Sequence, residues 1–566
     1  MPRPLAALAA LALIPPTMTA PRPAADAPVP AFADATAAAG VEFAYSNGRT
    51  GELHLPEIVG GGAALFDADG DGDLDLYLVD GGTLGAEGAR GRTGRLYRND
   101  GGRPPRFTDV TGRSGIGPGG YGMGVAAGDY DNDGRVDLYL TELGPNRLLR
   151  NLGGGRFEDV TTRAGVADPR WSVSAAFFDY DRDGWLDLFV VNYAEYSLAK
   201  PVRCYAASSR PDYCGPRAFP PQPSSLFRNL GGGRFEDVSA RSLVPRRSAH
   251  GLGVVTADLD GDGWTDVYVA NDGDDNHLWL NQAGKGFRED GLLAGVALSR
   301  EGLPEAGMGA DAGDVDGDLD LDLFVTNLTG ETNTLYVQEG GAFEDRSIAS
   351  GLAPPSRPWT GFGTALLDYD NDGWLDVVAA NGAVHLANGR SGPDDPFPLG
   401  QPSQLFRNLG AGTFREVTAE AVPAFLLARV SRGLAVGDLD DDGDPDLVVA
   451  DNEAPARVLL NQVGQDRPWL GLRLVDAAGR LDRLGARVVL RRSGAPDLVR
   501  RVRTDGSYAS AGDPRVVFGL GGGGEPRSIE VDWPDGRAEA FPPPPTGRYT
   551  TLRQGRGGPV ARGSPP

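Results

Sequence analysis

Short apolar runs alternate with polar, glycine-rich segments along most of this chain, and long stretches of helical periodicity are missing. Runs such as Leu76–Val79, Leu188–Val191 and Val267–Ala270 have the length and residue types of buried strands. Each follows an acidic nine-residue segment. Each is followed in turn by a run of the type LYRN, LLRN, LFRN or LWLN, a glycine turn and a strand of the type GRFEDV. Before each acidic segment lie two small residues: Gly60 and Gly62, Gly122 and Gly124, Ser172 and Ser174, Gly251 and Gly253, Gly307 and Gly309, Gly361 and Gly363, Ser431 and Gly433. Small side chains at alternate positions suit the innermost strand of a propeller blade, where neighbours crowd closest.

The pattern predicts four strands per repeat, and the acidic segment occurs seven times, starting at Asp67, Asp129, Asp179, Asp258, Asp314, Asp368 and Asp438. The expected fold is all-β: a seven-bladed β-propeller over 26–465, followed by a small β-sandwich-like domain over 466–553. Fourth-strand signatures inside the repeats number six, at Phe107, Phe157, Phe235, Phe287, Phe343 and Phe414. The stretch Phe32–Thr36 copies that signature ahead of the first loop, so it can complete the last blade and close the ring.

The loops point to calcium. Positions one, three and five are Asp67, Asp69, Asp71; Asp129, Asp131, Asp133; Asp179, Asp181, Asp183; Asp258, Asp260, Asp262; Asp314, Asp316, Asp318; Asp368, Asp370, Asp372; and Asp438, Asp440, Asp442. A glycine at position six permits the sharp turn that makes them converge. Position seven offers a backbone carbonyl, so its side chain varies: Asp73, Arg135, Trp185, Trp264, Asp320, Trp374, Asp444. The ninth position is Asp75, Asp137, Asp187, Asp266, Asp322, Asp376 or Asp446. Hard oxygen ligands in this number suit calcium better than magnesium. An EF-hand is excluded because position twelve is Leu78, Leu140, Val190, Val269, Val325, Ala379 or Val449 in place of glutamate, between strands. In the fifth loop Leu319 occupies the glycine position, so that site is expected to be the weakest or to follow a different path.

Charge sharpens this picture. The net charge is −24, which argues against nucleic acid, and 32 acidic residues lie in the loops. Seven divalent ions would bring the total to about −10, an ordinary value for solubility. The amino terminus carries Arg3, an apolar run and small residues, and reads as a signal peptide over 1–25; no other apolar stretch is long enough to span a bilayer. A periplasmic or secreted, extracellular location is expected. The two cysteines, Cys204 and Cys214, then read as one short disulfide. The last residues, 554–566, rich in Gly, Pro and Arg, are expected to be a disordered tail.

The loops, their GxG lead-in and the LYRN and RFEDV strands resemble the FG-GAP/VCBS repeats of integrin-type propellers. Ser431–Leu434, Pro455–Arg457, LGARVVL from Leu484, DGSYASAGDPRVVFGLG from Asp505 and SIEVDWPDGR from Ser528 resemble the ASPIC/UnbV domain. Together they look like the bacterial relatives of cartilage acidic protein, the CRTAC-like family. The resemblance implies an extracellular calcium-binding propeller that acts in adhesion or matrix interaction, with a protein or glycan partner. The segment ending DYCGP at 212–216 also looks like that family's insert between blades.

Catalytic signals are thin. His54 and His250 precede inner strands and could approach the channel mouth; His277 and His385 complete the histidines, without metal-binding spacing. A carbohydrate-active or other hydrolytic enzyme at the channel mouth is the alternative reading. An open channel lined by these histidines and carboxylates would favour it; a channel plugged by apolar or small side chains favours a binding module. Trp185, Trp264 and Trp374 either pack between blades or stand at the rim to stack on a partner.

Overall fold

In the computed structural model residues 30–85, 88–386 and 398–560 are described; the leader read at 1–25 lies outside them. The fold is all-β, and every α-helix among the described residues is a single turn of four residues. Seven antiparallel sheets of the repeat occur among the described residues. In the first, Ala63–Phe66 pairs with Asp75–Leu78, then Arg95–Asn99, then Phe107–Asp109. In the seventh, Ser431–Gly437, Asp446–Asp451 and Arg457–Asn461 are completed by Phe32–Asp34, with Phe32 opposite Asn461. The amino-terminal strand thus occupies the place expected from its sequence.

The first strands of the sheets lie side by side in chain order, and that of the seventh packs on that of the first. The small residues of the lead-in explain how they come so close. A Cβ added at Gly309 would stand 2.0 Å from the Phe362 carbonyl oxygen of the next sheet, and one at Gly62 would stand 2.1 Å from that of Ala509. No rotamer change relieves a clash with backbone, so glycine is required at both positions.

Ala509 belongs to the carboxy-terminal domain. There, a three-stranded sheet (Trp469–Val475, Val516–Gly519, Tyr549–Arg553) and a five-stranded one share a core of Leu470, Val488, Phe518, Ile529 and Trp533. The five-stranded sheet ends in Gly558–Pro559, paired with Glu539 and Ala540. Of the stretch 554–566 expected to be a disordered tail, Gly558–Pro559 thus forms an edge strand of this sheet.

Between the two sheets the chain leaves the domain and passes along the first strands of the seven repeat sheets. Residues 505–513 bond every first strand in turn. The N–H groups of Ala63, Val125, Ala310 and Thr364 donate to Ser510 Oγ, Ala509 O, Ser507 O and Ser507 Oγ at 3.1, 3.1, 3.0 and 3.2 Å. Thr256 N–H donates to Asp505 Oδ2. Ser174 Oγ and Val436 O accept from Ala509 and Asp513 N–H at 3.1 and 3.0 Å. Tyr508 reaches furthest, with its hydroxyl 2.8 Å from the Val59 carbonyl and its ring edge-on to Phe362.

The opposite end is closed by other means. Arg432, wholly buried, donates to the carbonyls of Ile58, Gly382 and Ala383 at 2.6, 3.1 and 3.1 Å and lies 3.8 Å over the Phe362 ring. A buried charge persists without a carboxylate when its donors are all met by oriented carbonyls and an aromatic face. The insert bearing the Cys204–Cys214 disulfide lays Tyr213, Cys214 and Phe219 into the same apolar cluster as Tyr508.

Because the axial segment bonds all seven first strands, ring and carboxy-terminal domain form one cooperative unit. Scanning calorimetry of the full chain is expected to give a single unfolding transition. Two transitions separated by about 10 °C or more would contradict this.

Candidate metal centres

The acidic loops share one backbone path. The first aspartate accepts the N–H of the sixth residue on Oδ2: from Gly72, Gly134, Gly184, Gly263, Gly373 and Gly443 at 2.7–3.1 Å. Each of these glycines has a left-handed φ of 88–100°. Leu319 does the same, with φ 77° and its N–H 3.1 Å from Asp314 Oδ2. The fifth loop therefore does not follow the different path that its leucine suggested. The cause lies outside the loop: the half-buried Leu319 side chain packs against a cluster that includes Val489 and Val499 of the carboxy-terminal domain. That burial opposes a left-handed cost of about 1–2 kcal/mol.

The ninth aspartate is a clamp. Asp75 Oδ2 accepts Ala68 N–H of its own loop at 2.8 Å, and Oδ1 accepts Asn99 N–H at the end of the third strand at 2.7 Å. Asp137, Asp187, Asp266, Asp322, Asp376 and Asp446 repeat both bonds. The asparagine so held then reaches sideways. Asn99 Nδ2 donates to Leu439 O, in the second position of the seventh loop, at 3.1 Å. Asn151, Asn229 and Asn281 donate to Ala68 O, Tyr130 O and Tyr180 O at 2.8–2.9 Å. Gln338 donates to Leu259 O at 2.5 Å, and Asn408 and Asn461 to Val315 O and Tyr369 O at 2.8 and 2.7 Å. Each sheet is thereby tied to the loop of the preceding one, and the first to the seventh. The recurring Asn of the LYRN-type strands signalled these residues, but the strand pattern alone did not give their direction.

The remaining carboxylate oxygens gather. Asp67, Asp69 and Asp71, and likewise Asp258, Asp260 and Asp262, bring one oxygen each within 4.8 Å of the others; in the second, third and fifth loops the ninth aspartate joins the first and third positions. Five buried oxygens here meet neither a hydrogen bond nor an arginine: Oδ1 of Asp131, Asp179, Asp316, Asp442 and Asp444; Asp370 Oδ1 lies 3.1 Å from Arg467 Nη1. Leaving such atoms unmatched costs about 1–3 kcal/mol each, and a hard cation is the partner that suits convergent bare carboxylates. Burial also pushes these carboxyls up from their ordinary value of 3.8: Asp129, Asp179 and Asp258 to about 6, Asp75, Asp368 and Asp438 to about 7, Asp322 to about 8. Asp444 goes to about 10, through burial and then the nearby Asp446 and Asp442.

The family model described as FG-GAP-like repeat matches residues 67–140, 129–190, 213–269, 258–325, 314–379 and 391–449, and that described as ASPIC and UnbV matches 478–559. The chain belongs to the FG-GAP repeat family and carries an ASPIC/UnbV domain. Among curated proteins it is similar to cartilage acidic protein 1 of Mus musculus, 29% identical over 327 residues, and of Homo sapiens, 26% identical over 326. Each alignment covers 56% of this chain, and 46% and 38% of the two relatives, so the match spans less than half of either. Among solved structures, an Agrocybe aegerita lectin recognising non-reducing terminal N-acetylglucosamine aligns with TM-score 0.36 and 14% identity over 70% of this chain and 86% of its own. YCF48 bound to a D1 peptide aligns with TM-score 0.38 and 9% identity over 72% and 92%. Likenesses this remote have no bearing on function.

Beside the FG-GAP loops, the position-seven tryptophans pack. A Cβ on Gly231 would meet Trp185, one on Gly284 would meet Trp264, and one on Gly317 would meet Trp374, at 3.0–3.2 Å. Arg182 of the third loop also stacks 3.6 Å over Trp264 of the fourth. The histidines are engaged separately. His54 Nδ1 lies 2.7 Å from Tyr196 Oη, and His250 holds Asp274 Oδ2 at 2.7 Å and Phe219 O at 3.0 Å. His277 is buried edge-on to Trp279, and burial lowers it to about 4. His385 lies 4.0 Å from Asp212.

Two outcomes are expected. Leu319→Gly removes the left-handed cost but also the packing against the cluster that includes Val489 and Val499, and adds unfolded-chain entropy of about 0.5–1 kcal/mol. The variant should melt lower than the parent, by about 1 kcal/mol in stability; a higher melting temperature would show that strain outweighs docking. The second outcome concerns pH. A carboxyl that binds its proton more tightly folded than unfolded stabilises the fold below pH 3.8, and this is lost as pH rises through its folded value, here about 6 to 8. In excess chelator the melting temperature should therefore fall between pH 5 and 8, by about 5 °C or more. A flat or rising profile would contradict it.

Proposed function

We propose that this chain is an exported, calcium-stabilised, seven-bladed propeller that works as a binding module for an extracellular protein or glycan. The observation that carries this reading is the filled axis. Propeller enzymes need a pocket at the channel mouth, and here Ser507, Tyr508, Ala509 and Ser510 occupy the channel while Arg432 and Tyr213 seal the other end. Small and apolar groups thus stand where the hydrolytic reading requires an open site, and His54 and His250 serve as packing residues. Beside the filled centre a cavity lies between the first strands and the carboxy-terminal domain, lined by Thr364, Asp368, Arg500, Arg501, Asp505 and Ser507; the rest of the face is broad surface, as suits recognition of a large partner.

Calcium is supported by the converging carboxylates and their bare buried oxygens, and by the family. The residues to hold it are those at positions one, three and five, with the position-seven carbonyl and, in loops two, three and five, the ninth aspartate. Bound calcium would neutralise the carboxylates that otherwise repel one another across each loop. The seven sheets, their asparagine ties and the packing of first strands support a closed ring of seven blades, and the two carboxy-terminal sheets a sandwich. Export is supported by the leader-like amino terminus and the Cys204–Cys214 bridge. Among the described residues no helix is long and apolar enough to cross a membrane.

An array of extracellular proteins and glycans probed with the full chain, with calcium and with chelator, tests the reading. Saturable binding that is lost in chelator is expected, alongside a melting temperature raised by calcium. Turnover of a glycoside or ester substrate would overturn it, as would a melting curve indifferent to both calcium and chelator.

A further inference from the structure

The residue before the clamped Asn or Gln of each third strand differs from repeat to repeat. In the second, third and sixth repeats it is Arg150, Arg228 and Arg407. Arg150 binds Asp131 Oδ2 through Nε at 2.5 Å and Asp133 Oδ2 through Nη2 at 2.9 Å. Arg228 binds Asp181 Oδ2 and Asp183 Oδ2 at 2.7 and 3.2 Å. Arg407 Nη2 binds Asp370 Oδ2 and Asp372 Oδ2 at 2.7 and 2.9 Å. In all three, one guanidinium spans the carboxylates at positions three and five.

The other repeats lack this contact. Arg98 of the first turns to Asp100, its Nε 2.7 Å from Oδ1. The fourth, fifth and seventh place Leu280, Val337 and Leu460 in the same strand position. Arg103 approaches the seventh loop but donates to the backbone carbonyls of Asp440 and Asp441.

We propose that these third-strand arginines set calcium affinity, dividing the loops into a weaker class, two, three and six, and a tighter class, one, four, five and seven. The inference rests on the calcium reading of the loops. In the ion-free protein the guanidinium relieves repulsion between two ligand carboxylates. When the ion arrives, the same positive charge stands one carboxylate away from a dication. A group that stabilises the empty loop and repels its occupant lowers affinity by that difference. The arginine is a positioning residue: it holds Oδ2 of position three and leaves Asp131 Oδ1 without a hydrogen bond, while in the sixth loop a second arginine, Arg467, stands 3.1 Å from Asp370 Oδ1. The charge term exceeds the gain from positioning, since a guanidinium one carboxylate away from a dication stands within the range where salt and solvent screen it incompletely.

The third and fourth loops allow a reciprocal test, because leucine and arginine are each native at this strand position. Calcium titrations by calorimetry on the full chain should resolve the two classes in the parent. Arg228→Leu should move one ion from the weaker to the tighter class, by about tenfold or more in Kd, and Leu280→Arg should move one the other way. Arg407→Leu combined with Arg467→Gln repeats the first change at the sixth loop, where Arg467 also pairs with Asp370, should Arg228→Leu fold poorly. In chelator, Arg228→Leu should melt lower than the parent, and calcium should restore it, a pattern that mere loss of a surface contact does not give. If the arginine variants bind calcium with parental or weaker affinity, the proposal is overturned while the calcium reading stands. A parent that takes up no calcium at all overturns both.

Discussion

The ninth aspartate of each loop is the hinge on which this structure turns. Its buried carboxylate accepts one N–H from the loop and one from the end of the third strand, so the loop cannot open without unseating the strand. The strand's last residue, fixed in this way, reaches to the loop before it. Loop geometry, strand register and contact between neighbouring sheets thus become one circuit of hydrogen bonds, in which those to the carboxylate are stronger than a neutral pair and the amide-to-carbonyl ties extend the chain to the next sheet. The acidic first, third and fifth positions are held open by this circuit, and a crowd of like charges is tolerated because its framework is tied elsewhere.

The ASPIC/UnbV domain adds a second framework along the axis. Its inserted segment meets each first strand with a backbone or short side-chain hydrogen bond, and its outer residues rest on the loops themselves: Tyr549 Oη on Asp438 Oδ2 at 2.8 Å, Arg487 on Leu319 O at 2.8 Å, and Arg515 on Asp438 O at 2.9 Å. The two frameworks meet at the loops, where Leu319 shows the result. A residue unsuited to its backbone conformation is kept because it faces the domain that covers it.

Much of this was legible in the sequence. The loop register, the small lead-in residues and the strand at Phe32 all follow from spacing, since a repeat that buries the same face seven times must repeat the same residue sizes. Three features were not legible, each for a physical reason. The asparagines recur visibly, but whether a side chain at a strand end points within its sheet or across to the next depends on twist. The axial segment, Asp505 to Asp513, is rich in small and turn-forming residues that carry no strand or helix period; only its distant partners give it a place. Leu319 looked like a defect in its loop because its compensation comes from Val489 and Val499, far along the chain.

The axial segment carries a consequence for how such a ring can change. The seven loops are near copies, so by their own chemistry the repeats look interchangeable. Yet the first strands present unlike groups to the axis: Ser174 offers a hydroxyl, Val436 a carbonyl, Thr256 an amide aimed at a carboxylate. One asymmetric peptide reads all seven. Duplicating, deleting or permuting a repeat would leave the loop ties intact and misalign the centre, so the number and order of repeats are held by a segment that belongs to none of them.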